Sequence, residues 1–314
     1  MSNKETKPIF AIAGPTASGK TALGVELALA IGGEIINCDS VQIYQGIEIA
    51  TAKPSEDEKR GVPHHLIDYV DPNTNYTAAD WARDAAGKIY EIEGQGRTAI
   101  LVGGTGFYLR ALRQPFFESP KTNEQLRERI KDILARKGPE YLHGILVKVD
   151  REAAQRLSPR DHIRVSRALE VYFQTGEQIS SRQQAKVEPP GYASRIRIIV
   201  LSPPRELLYD KINKRTESHF ANGLIDEVTS LIEQGVRTDR NALGAHGYRR
   251  VCEYLFGERS LESAVEKTKQ DVRNYAKRQL TWFRSEPGAE WFNGFGDDPA
   301  VIEAVLAAVK VLKT

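Results

Sequence analysis

The chain has 314 residues, with 44 Lys and Arg against 42 Asp and Glu, and a formal net charge of +2. Hydrophobic residues make up 40% and charged residues 27% of it, which is ordinary globular usage and excludes fibrous and disordered classes. No stretch approaches ~20 consecutive apolar residues, so we expect no membrane span. The polar first residues and the presence of only Cys38 and Cys252 predict no secretory leader, no disulfide framework and a cytoplasmic location.

Strands and helices alternate along the first part of the chain. Apolar runs predict strands at residues 9–13, 34–38, 98–102 and 196–201, and helical spacing predicts helices at 21–31 and 78–93. Thr77 and Asp80 have the spacing of an N-cap before the second helix. This alternation is typical of parallel βαβ units, and from Arg205 onward the pattern is mostly helical. We therefore predict an α/β fold with a P-loop core, in which a parallel sheet is flanked by helices.

A helical pattern without apolar β runs interrupts this alternation, and it predicts an all-helical insertion at residues 119–191. The core would then consist of residues 1–118 and 192–314. Residues 113–197 contain 17 Lys and Arg and 11 Asp and Glu, a local charge of +6, so the remainder of the chain carries −4. Such an asymmetry favours a polyanionic partner for the inserted segment.

One segment has the complete G-x-x-x-x-G-K-[ST] pattern of a phosphate-binding loop. It follows a predicted strand and precedes a predicted helix, which is the context that this motif requires. Its glycines allow the backbone to approach a phosphate, Lys20 would neutralise phosphate charge, and the Thr21 hydroxyl would bind Mg²⁺. The residues of this loop are Gly14, Pro15, Thr16, Ala17, Ser18, Gly19, Lys20 and Thr21. The pattern predicts polyphosphate binding but does not specify a reaction.

Polar residues follow two further predicted strands. Asp39 comes directly after the strand at 34–38, and Thr105 follows Gly103 and Gly104 after the strand at 98–102. Ligands of open parallel sheets bind at the carboxyl ends of the strands, so both residues are expected to face the phosphate loop. Asp39 could bind a metal, act as a base or cap the following turn, and the glycine pair could serve only as a strand-to-helix turn.

Basic residues recur at helical spacing in three places. Arg160, Arg164 and Arg167 lie in the positively charged insertion, where phosphate contact and a solvated helix face are both possible interpretations. Lys211 with Arg215, and Lys269, Arg273 and Lys277, form the other two groups. His64 and His65 follow Pro63 in a predicted loop, and no acidic residue is spaced to complete a metal site.

Several of these segments together resemble the bacterial tRNA dimethylallyltransferase family. In family order they are Gly14 to Thr21, Asp39 to Tyr44, Thr51 to Pro54, Pro63 to Leu66, Gly103 to Tyr108, Arg164 to Val171 and Lys277 to Arg284. The resemblance covers nearly the whole chain. It implies transfer of a dimethylallyl group from dimethylallyl diphosphate to the N6 amine of adenosine 37 in tRNA, next to the anticodon. It also implies Mg²⁺ as cofactor, tRNA as macromolecular partner, and a monomer.

The resemblance also implies roles for individual residues. The phosphate loop would hold the donor diphosphate, with Lys20 and Arg215 acting on the leaving group, Asp39 as general base and Thr105 orienting the adenine. The residues matching tRNA-contacting positions are Asp39, Ser40, Val41, Gln42, Thr105, Arg127, Ile163, Arg164, Val165, Ser166, Arg167, Gly247, Tyr248, Arg249, Lys277, Arg278, Gln279, Trp282 and Arg284. The chain departs from the family pattern at Ala50 and His246, and we expect neither departure to touch the chemistry.

Three alternatives stay open at this point. The phosphate loop alone fits a small-molecule P-loop kinase equally well. Asp39 and Thr105 would also suit an isopentenyltransferase that acts on free adenylate. A non-enzymatic RNA-binding module is the third alternative, although it would have no use for a complete phosphate loop.

Overall fold

A computed structural model describes residues 7–114, 120, 123–184 and 187–311. The strands are β1 (Ile9–Ala13), β2 (Gly33–Asn37), β3 (His64–His65), β4 (Thr98–Val102), β5 (Ile196–Leu201) and β6 (Glu290–Phe292). The first helices are α1 (Lys20–Ile31), α2 (Glu56–Lys59), α3 (Ala78–Gly94), α4 (Gly106–Arg113), α5 (Glu124–Lys137), α6 (Pro139–Val149) and α7 (Arg151–Arg156). The remaining helices are α8 (His162–Thr175), α9 (Ile179–Gln184), α10 (Arg205–Ala221), α11 (Leu224–Glu233), α12 (Tyr248–Leu255), α13 (Leu261–Arg284) and α14 (Pro299–Val311).

The chain divides into two compact units, residues 1–113 with 190–314 and residues 114–189. The predicted boundaries at 118/119 and 191/192 lie a few residues further along the chain, and the first falls outside the described residues. Residues 114–189 contain 14 Lys and Arg and 11 Asp and Glu, a charge of +3. Half of the excess positive charge counted for residues 113–197 therefore lies outside this unit, on Arg113, Arg195 and Arg197.

The larger unit is built on a six-stranded sheet with the order β3-β2-β4-β1-β5-β6, in which every pairing is parallel. Strand β1 is buried on both faces: Ile9, Ala11 and Ala13 pack into one apolar cluster, while Phe10 and Ile12 pack into another. Continuous apolar runs are what a parallel sheet covered on both sides requires. The predicted α/β fold is thus confirmed.

The register of the strands places the loops that follow β1, β2 and β4 side by side. In the sheet, Val102 at the end of β4 is level with Ile12 of β1 and with Asn37 of β2. Because β4 lies between β1 and β2, the loop after β4 emerges between the phosphate loop and Asp39. The Trp81 indole N–H donates to the Asn37 carbonyl at 2.9 Å, so α3 holds the end of β2 in place.

Two short strands differ from the sequence expectation. His64 and His65 form β3 at one edge of the sheet, rather than a loop, because their backbone pairs with Ile35 and Ile36 of β2. Strand β6 at the opposite edge has three residues, too few to leave a recognisable period in the sequence. Each of these short strands forms because it pairs with a neighbouring strand, and local sequence patterns do not reveal such pairing.

The smaller unit packs its helices around its own core, in which Leu146, Val165 and Leu169 are fully buried. Buried Asp150 connects two of these helices, since its Oδ1 accepts from Ala153 N at 3.0 Å and its Oδ2 from Ser180 N at 2.9 Å. Every regular element in the described part of this unit is a helix. Across the described residues, none of the helices of either unit has the length and apolar character needed to span a bilayer.

Candidate active site

The phosphate loop, residues 14–21, joins β1 to α1. Gly19 has φ +83° and caps α1 without a side-chain hydrogen bond, and no acidic residue lies in the first turn of this helix. The first N–H groups of α1 and the positive end of its dipole are therefore available to an anion. Gly14 has φ +142°, and a Cβ at this position would lie 2.9 Å from the Leu201 carbonyl oxygen. Only glycine fits this close approach of β5.

Two cations lie at the phosphate loop. Lys20 Nζ donates to the Pro15 carbonyl at 2.6 Å, and Arg215 Nη2 of α10 donates to the Thr16 hydroxyl at 2.6 Å. Burial lowers the pKa of the Lys20 ammonium to about 8, with Asp39 acting against the shift and Arg215 adding to it. Burial also lowers the pKa of Arg215, which nevertheless stays charged at neutral pH. A bound anion would offset the cost of holding these cations together.

Asp39 follows β2 and uses its two carboxylate oxygens differently. Its Oδ1 accepts from Val41 N at 2.9 Å and from Gln42 N at 3.4 Å, which caps the following turn. Its Oδ2 accepts none of the hydrogen bonds formed among the described residues, and Asp39 is only partly buried. The cap therefore fixes the orientation of the carboxylate and leaves one oxygen available to a ligand.

Thr105 connects the loop after β4 to Asp39. Its N–H donates to the Cys38 carbonyl at 3.2 Å, and its Oγ1 accepts from Ser40 N at 3.1 Å. Burial and the charge of Asp39 raise the pKa of the Tyr275 hydroxyl, which lies near Thr105. A Cβ at Gly103 would lie 2.0 Å from the Cys38 carbonyl oxygen, so this glycine is required by close packing of two loops.

Two adjoining cavities meet at these residues. The phosphate cavity, about 360 Å³, is lined by residues 16–21 and by Gln42, and the tyrosine cavity, about 420 Å³, is lined by Ser40, Val41 and Thr105. Thr16, Asp39, Thr51 and Arg215 line both. The aromatic side chains in the wall of the tyrosine cavity are Tyr44, Tyr76, Phe107, Tyr108 and Tyr275. An anionic ligand in one cavity and an apolar or aromatic ligand in the other would both be in reach of Asp39.

The oxygen donors at the phosphate cavity fit Mg²⁺. Thr21 and Asp39 line this cavity, and the Ser18 hydroxyl there is fully buried with no hydrogen-bond partner among the described residues. The described residues contain no cluster of three His, Cys, Asp or Glu that could hold a metal by itself. Mg²⁺ commonly takes only one or two protein oxygens and completes its shell with phosphate oxygens and water. The residues present suit a metal that enters with a diphosphate.

Sequence comparison with known protein families identifies the family of this chain. The family model described as IPP transferase matches residues 42–286, which is most of the chain. The chain belongs to the IPP transferase family. The matched segment begins just after Asp39, so the phosphate loop and Asp39 lie outside it.

Full-length members of the IPP transferase family resemble the whole chain. A protein named tRNA dimethylallyltransferase from Geobacter metallireducens is 44% identical over 308 residues, covering 98% of this chain and 99% of that protein. A protein of the same name from Koribacter versatilis is 42% identical, covering 96% and 98% of the two chains. The crystal structure of a full-length tRNA isopentenylpyrophosphate transferase from Bacillus halodurans has a TM-score of 0.73 at 36% identity, covering 98% and 97%. A eukaryotic dimethylallyltransferase acting on tRNA has a TM-score of 0.76 at 28% identity, covering 92% and 74%.

The tRNA-contacting residues predicted on the smaller unit of this IPP transferase differ in exposure and in their partners. Ile163 and Arg164 are exposed on α8, and Arg164 pairs with Asp161 at 2.6 Å. Arg127 and Arg167 both bind the carboxylate of buried Glu170, Arg127 through two hydrogen bonds of 2.9 and 3.2 Å. Val165 is fully buried in the helical core, and Ser166 is partly buried. Arg160 precedes α8 and does not share its face, because the helix begins at His162 with Asp161 as its N-cap.

The tRNA-contacting residues predicted on the larger unit are also divided. Arg249, Lys277, Arg278 and Arg284 are exposed, whereas Gly247, Tyr248 and Gln279 are buried and Trp282 is partly buried. The Tyr248 hydroxyl donates to Glu227 at 2.5 Å and accepts from Ala50 N at 3.2 Å, so it connects α12 to the segment before α2. Trp282 packs edge-to-face on Phe107, with ring centroids 6.3 Å apart. The exposed cations are the ones placed to meet a polyanion directly.

The two departures from the family pattern lie closer to the site than expected. Ala50 and His246 both line the tyrosine cavity. The expectation that neither departure touches the chemistry stays a prediction. The His246 ring packs against Tyr275 with centroids 5.1 Å apart. Sequence reasoning also missed Tyr275 itself. Its position four residues before Gln279 on a helix was the available signal, because residues at this spacing share a face.

Proposed function

We propose that this enzyme transfers the dimethylallyl group of dimethylallyl diphosphate to the N6 amine of adenosine 37 in tRNA, immediately 3′ of the anticodon. The observation that carries the proposal is the position of Asp39, which lines both the phosphate cavity and the tyrosine cavity. One of its carboxylate oxygens accepts no hydrogen bond from the described residues. The names of the full-length relatives, tRNA dimethylallyltransferase, support the same reaction.

The donor diphosphate binds in the phosphate cavity. The N–H groups at the start of α1, the Lys20 ammonium and the Arg215 guanidinium together stabilise the negative charge that develops on the departing diphosphate oxygen. Mg²⁺, held by Thr21 with Asp39 close by, would neutralise further charge on the diphosphate when it is bound. The allyl group extends from the diphosphate into the tyrosine cavity.

The acceptor amine meets the allylic carbon at the junction of the cavities. The bond between this carbon and the diphosphate oxygen breaks with its electron pair, and the nitrogen lone pair forms the new carbon–nitrogen bond. Asp39 Oδ2 accepts the proton that the amine loses, which matters because the lone pair of adenine N6 is delocalised into the ring. A positioned base of this kind contributes about 10²–10⁴-fold to the rate. Thr105, whose hydroxyl is fixed by the hydrogen bond from the Ser40 N–H, orients the adenine beside Asp39.

A base within a duplex cannot reach this cleft, which favours an acceptor in a single-stranded loop. Bases in an anticodon loop are extruded at modest cost, and single-stranded loops are where proteins read RNA. The insertion, residues 119–191, would hold the anticodon stem-loop through exposed Ile163 and Arg164. The exposed cations Arg249, Lys277, Arg278 and Arg284 of the core, residues 1–118 and 192–314, would contribute as well. We propose that the enzyme acts as a monomer and, because its substrate is tRNA, in the cytoplasm.

A labelling assay tests the proposed function. Purified protein is incubated with Mg²⁺, radiolabelled dimethylallyl diphosphate and a tRNA bearing adenosine at position 37, alongside the same tRNA with guanosine there. Parallel reactions contain AMP in place of tRNA, or labelled ATP in place of the prenyl donor. We expect label only in the adenosine-containing tRNA. Label in free AMP rather than tRNA would instead indicate an adenylate isopentenyltransferase, and phosphate transfer from ATP to an acceptor would indicate a kinase. Either result contradicts the proposal.

A further inference from the structure

The Gln279 side chain joins two loops of the candidate active site. Its Oε1 accepts from the backbone N–H of Thr16 in the phosphate loop at 2.8 Å, and its Nε2 donates to the Gly104 carbonyl at 3.0 Å. The residue lies on α13 and is 4% exposed, so its amide contacts protein rather than solvent. The partners lie 263 and 175 residues away in sequence.

The two loops fit closely around this amide. A Cβ at Gly104 would lie 2.0 Å from Gln279 Nε2, so only glycine leaves room for the bridge. A second hydrogen bond fixes Thr16, in which its hydroxyl accepts from the guanidinium of Arg215 on α10. Since the Thr16 N–H is committed to Gln279, the phosphate must be bound by the other N–H groups of the loop. Gln279 therefore contributes to the shape of the phosphate loop itself.

We infer that Gln279 is a positioning residue, which sets the distance between the leaving group and the catalytic base, and that it does not contact tRNA. This inference rests on the proposed function. The phosphate loop holds the diphosphate, and the loop of Gly104 and Thr105 holds Asp39 through the Ser40 N–H. The Gln279 amide is a direct hydrogen-bonded link between these two halves. Displacement of reacting groups by about 1 Å can cost about 10²-fold in rate, so such a link affects catalysis without touching a substrate.

The chemistry of the bridge requires an amide. One loop presents an N–H, which needs an acceptor, and the other presents a carbonyl, which needs a donor; glutamine offers both on one planar group. Glutamate would offer acceptors only, would face the Gly104 carbonyl with like charge, and would add a negative charge near the diphosphate. Methionine has a similar length and shape but can form neither bond. Gln279→Glu therefore removes the bridge and adds a negative charge, whereas Gln279→Met removes the bridge without adding a charge.

The test compares Gln279→Glu and Gln279→Met with the same substitutions at Gln270, an exposed residue of α13 whose Oε1 accepts from Lys267 at 2.6 Å. Pyrophosphate affinity is measured by calorimetry with Mg²⁺, tRNA affinity by filter binding, and the chemical step by single-turnover transfer at saturating substrates. We expect Gln279→Met to slow the single-turnover step by about 10- to 100-fold and to weaken pyrophosphate binding severalfold. Gln279→Glu should weaken pyrophosphate binding further. Neither should change tRNA affinity, and the Gln270 variants should match the wild type.

Weakened tRNA binding, with pyrophosphate affinity and single-turnover rate unchanged, would overturn the inference, because Gln279 would then be a tRNA contact. Wild-type values in all three measurements would overturn it too. If Gln279→Glu does not fold, Gln279→Met provides the same comparison without a buried charge, and its thermal unfolding verifies that it is native. The pyrophosphate measurement does not depend on prenyl transfer, so it separates failure of the inference from failure of the proposed function.

Discussion

Replacing Asp39 by asparagine separates the two uses of its carboxylate. The asparagine carbonyl oxygen can still accept from Val41 N and Gln42 N, as Asp39 Oδ1 does at 2.9 and 3.4 Å, so the cap survives. The amide cannot take up a proton, so the base is lost. We expect the single-turnover transfer rate to fall by about 10²–10⁴-fold, equivalent to about 3–5 kcal/mol of activation free energy. Pyrophosphate affinity measured without Mg²⁺ should not fall, because a carboxylate near a diphosphate repels it.

Replacing Asp39 by alanine removes the cap as well. Loss of a side-chain cap costs about 0.5–2 kcal/mol, so Asp39→Ala should lower the free energy of unfolding by this amount while Asp39→Asn leaves it nearly unchanged. Rates come from rapid-quench measurement of labelled tRNA and stabilities from urea unfolding. If Asp39→Asn transfers the dimethylallyl group within threefold of the wild-type rate, Asp39 is a structural cap and the assignment of the base is refuted.

Three further predictions concern the two units separately. Burial alone would raise the pKa of the Glu170 carboxyl, but hydrogen bonds from Arg127 and Arg167 hold this pKa below its ordinary value of 4.5. The ionised Glu170 therefore stabilises the fold fully above about pH 4.5, and this stabilisation is lost as the pH falls through the lower pKa of the folded state. Glu170→Gln should cost about 1–3 kcal/mol at pH 7 and flatten the pH dependence of urea unfolding below pH 4.5, whereas a profile parallel to that of the wild type would contradict this. Arg164→Ala should reduce the slope of log tRNA affinity against log salt concentration by about one. The control Arg83→Ala, which removes an exposed cation of α3, should leave this slope unchanged. An unchanged slope for Arg164→Ala would show that Arg164 is a solvated surface residue. Gly103→Ala should destabilise the protein by about 1–3 kcal/mol in thermal unfolding, because the new Cβ would lie 2.0 Å from the Cys38 carbonyl oxygen. The control Gly94→Ala places its Cβ in open space and should be neutral or slightly stabilising.

Local sequence patterns determined the elements whose signals are contiguous. The strand at Ile9–Ala13, the phosphate loop and the start of α1 follow one another directly, so apolar periodicity and glycine spacing suffice to predict them. The capping box of Thr77 and Asp80 likewise marks the start of α3 through residues three apart. Such features depend on near neighbours, and a single sequence contains all of them.

Only the tertiary structure decided which distant residues meet at the site. Arg215 contacts Thr16 across 199 residues and Gln279 contacts it across 263, and neither pairing leaves a pattern in one sequence. Gln279 illustrates this: its motif resembles a tRNA-contacting segment, and packing of α13 buries its amide between two loops. The sheet order β2-β4-β1 brings Asp39, Thr105 and the phosphate loop together, because parallel strands present their following loops at one edge. Sequence determined the chemical groups, and long-range packing decided their partners.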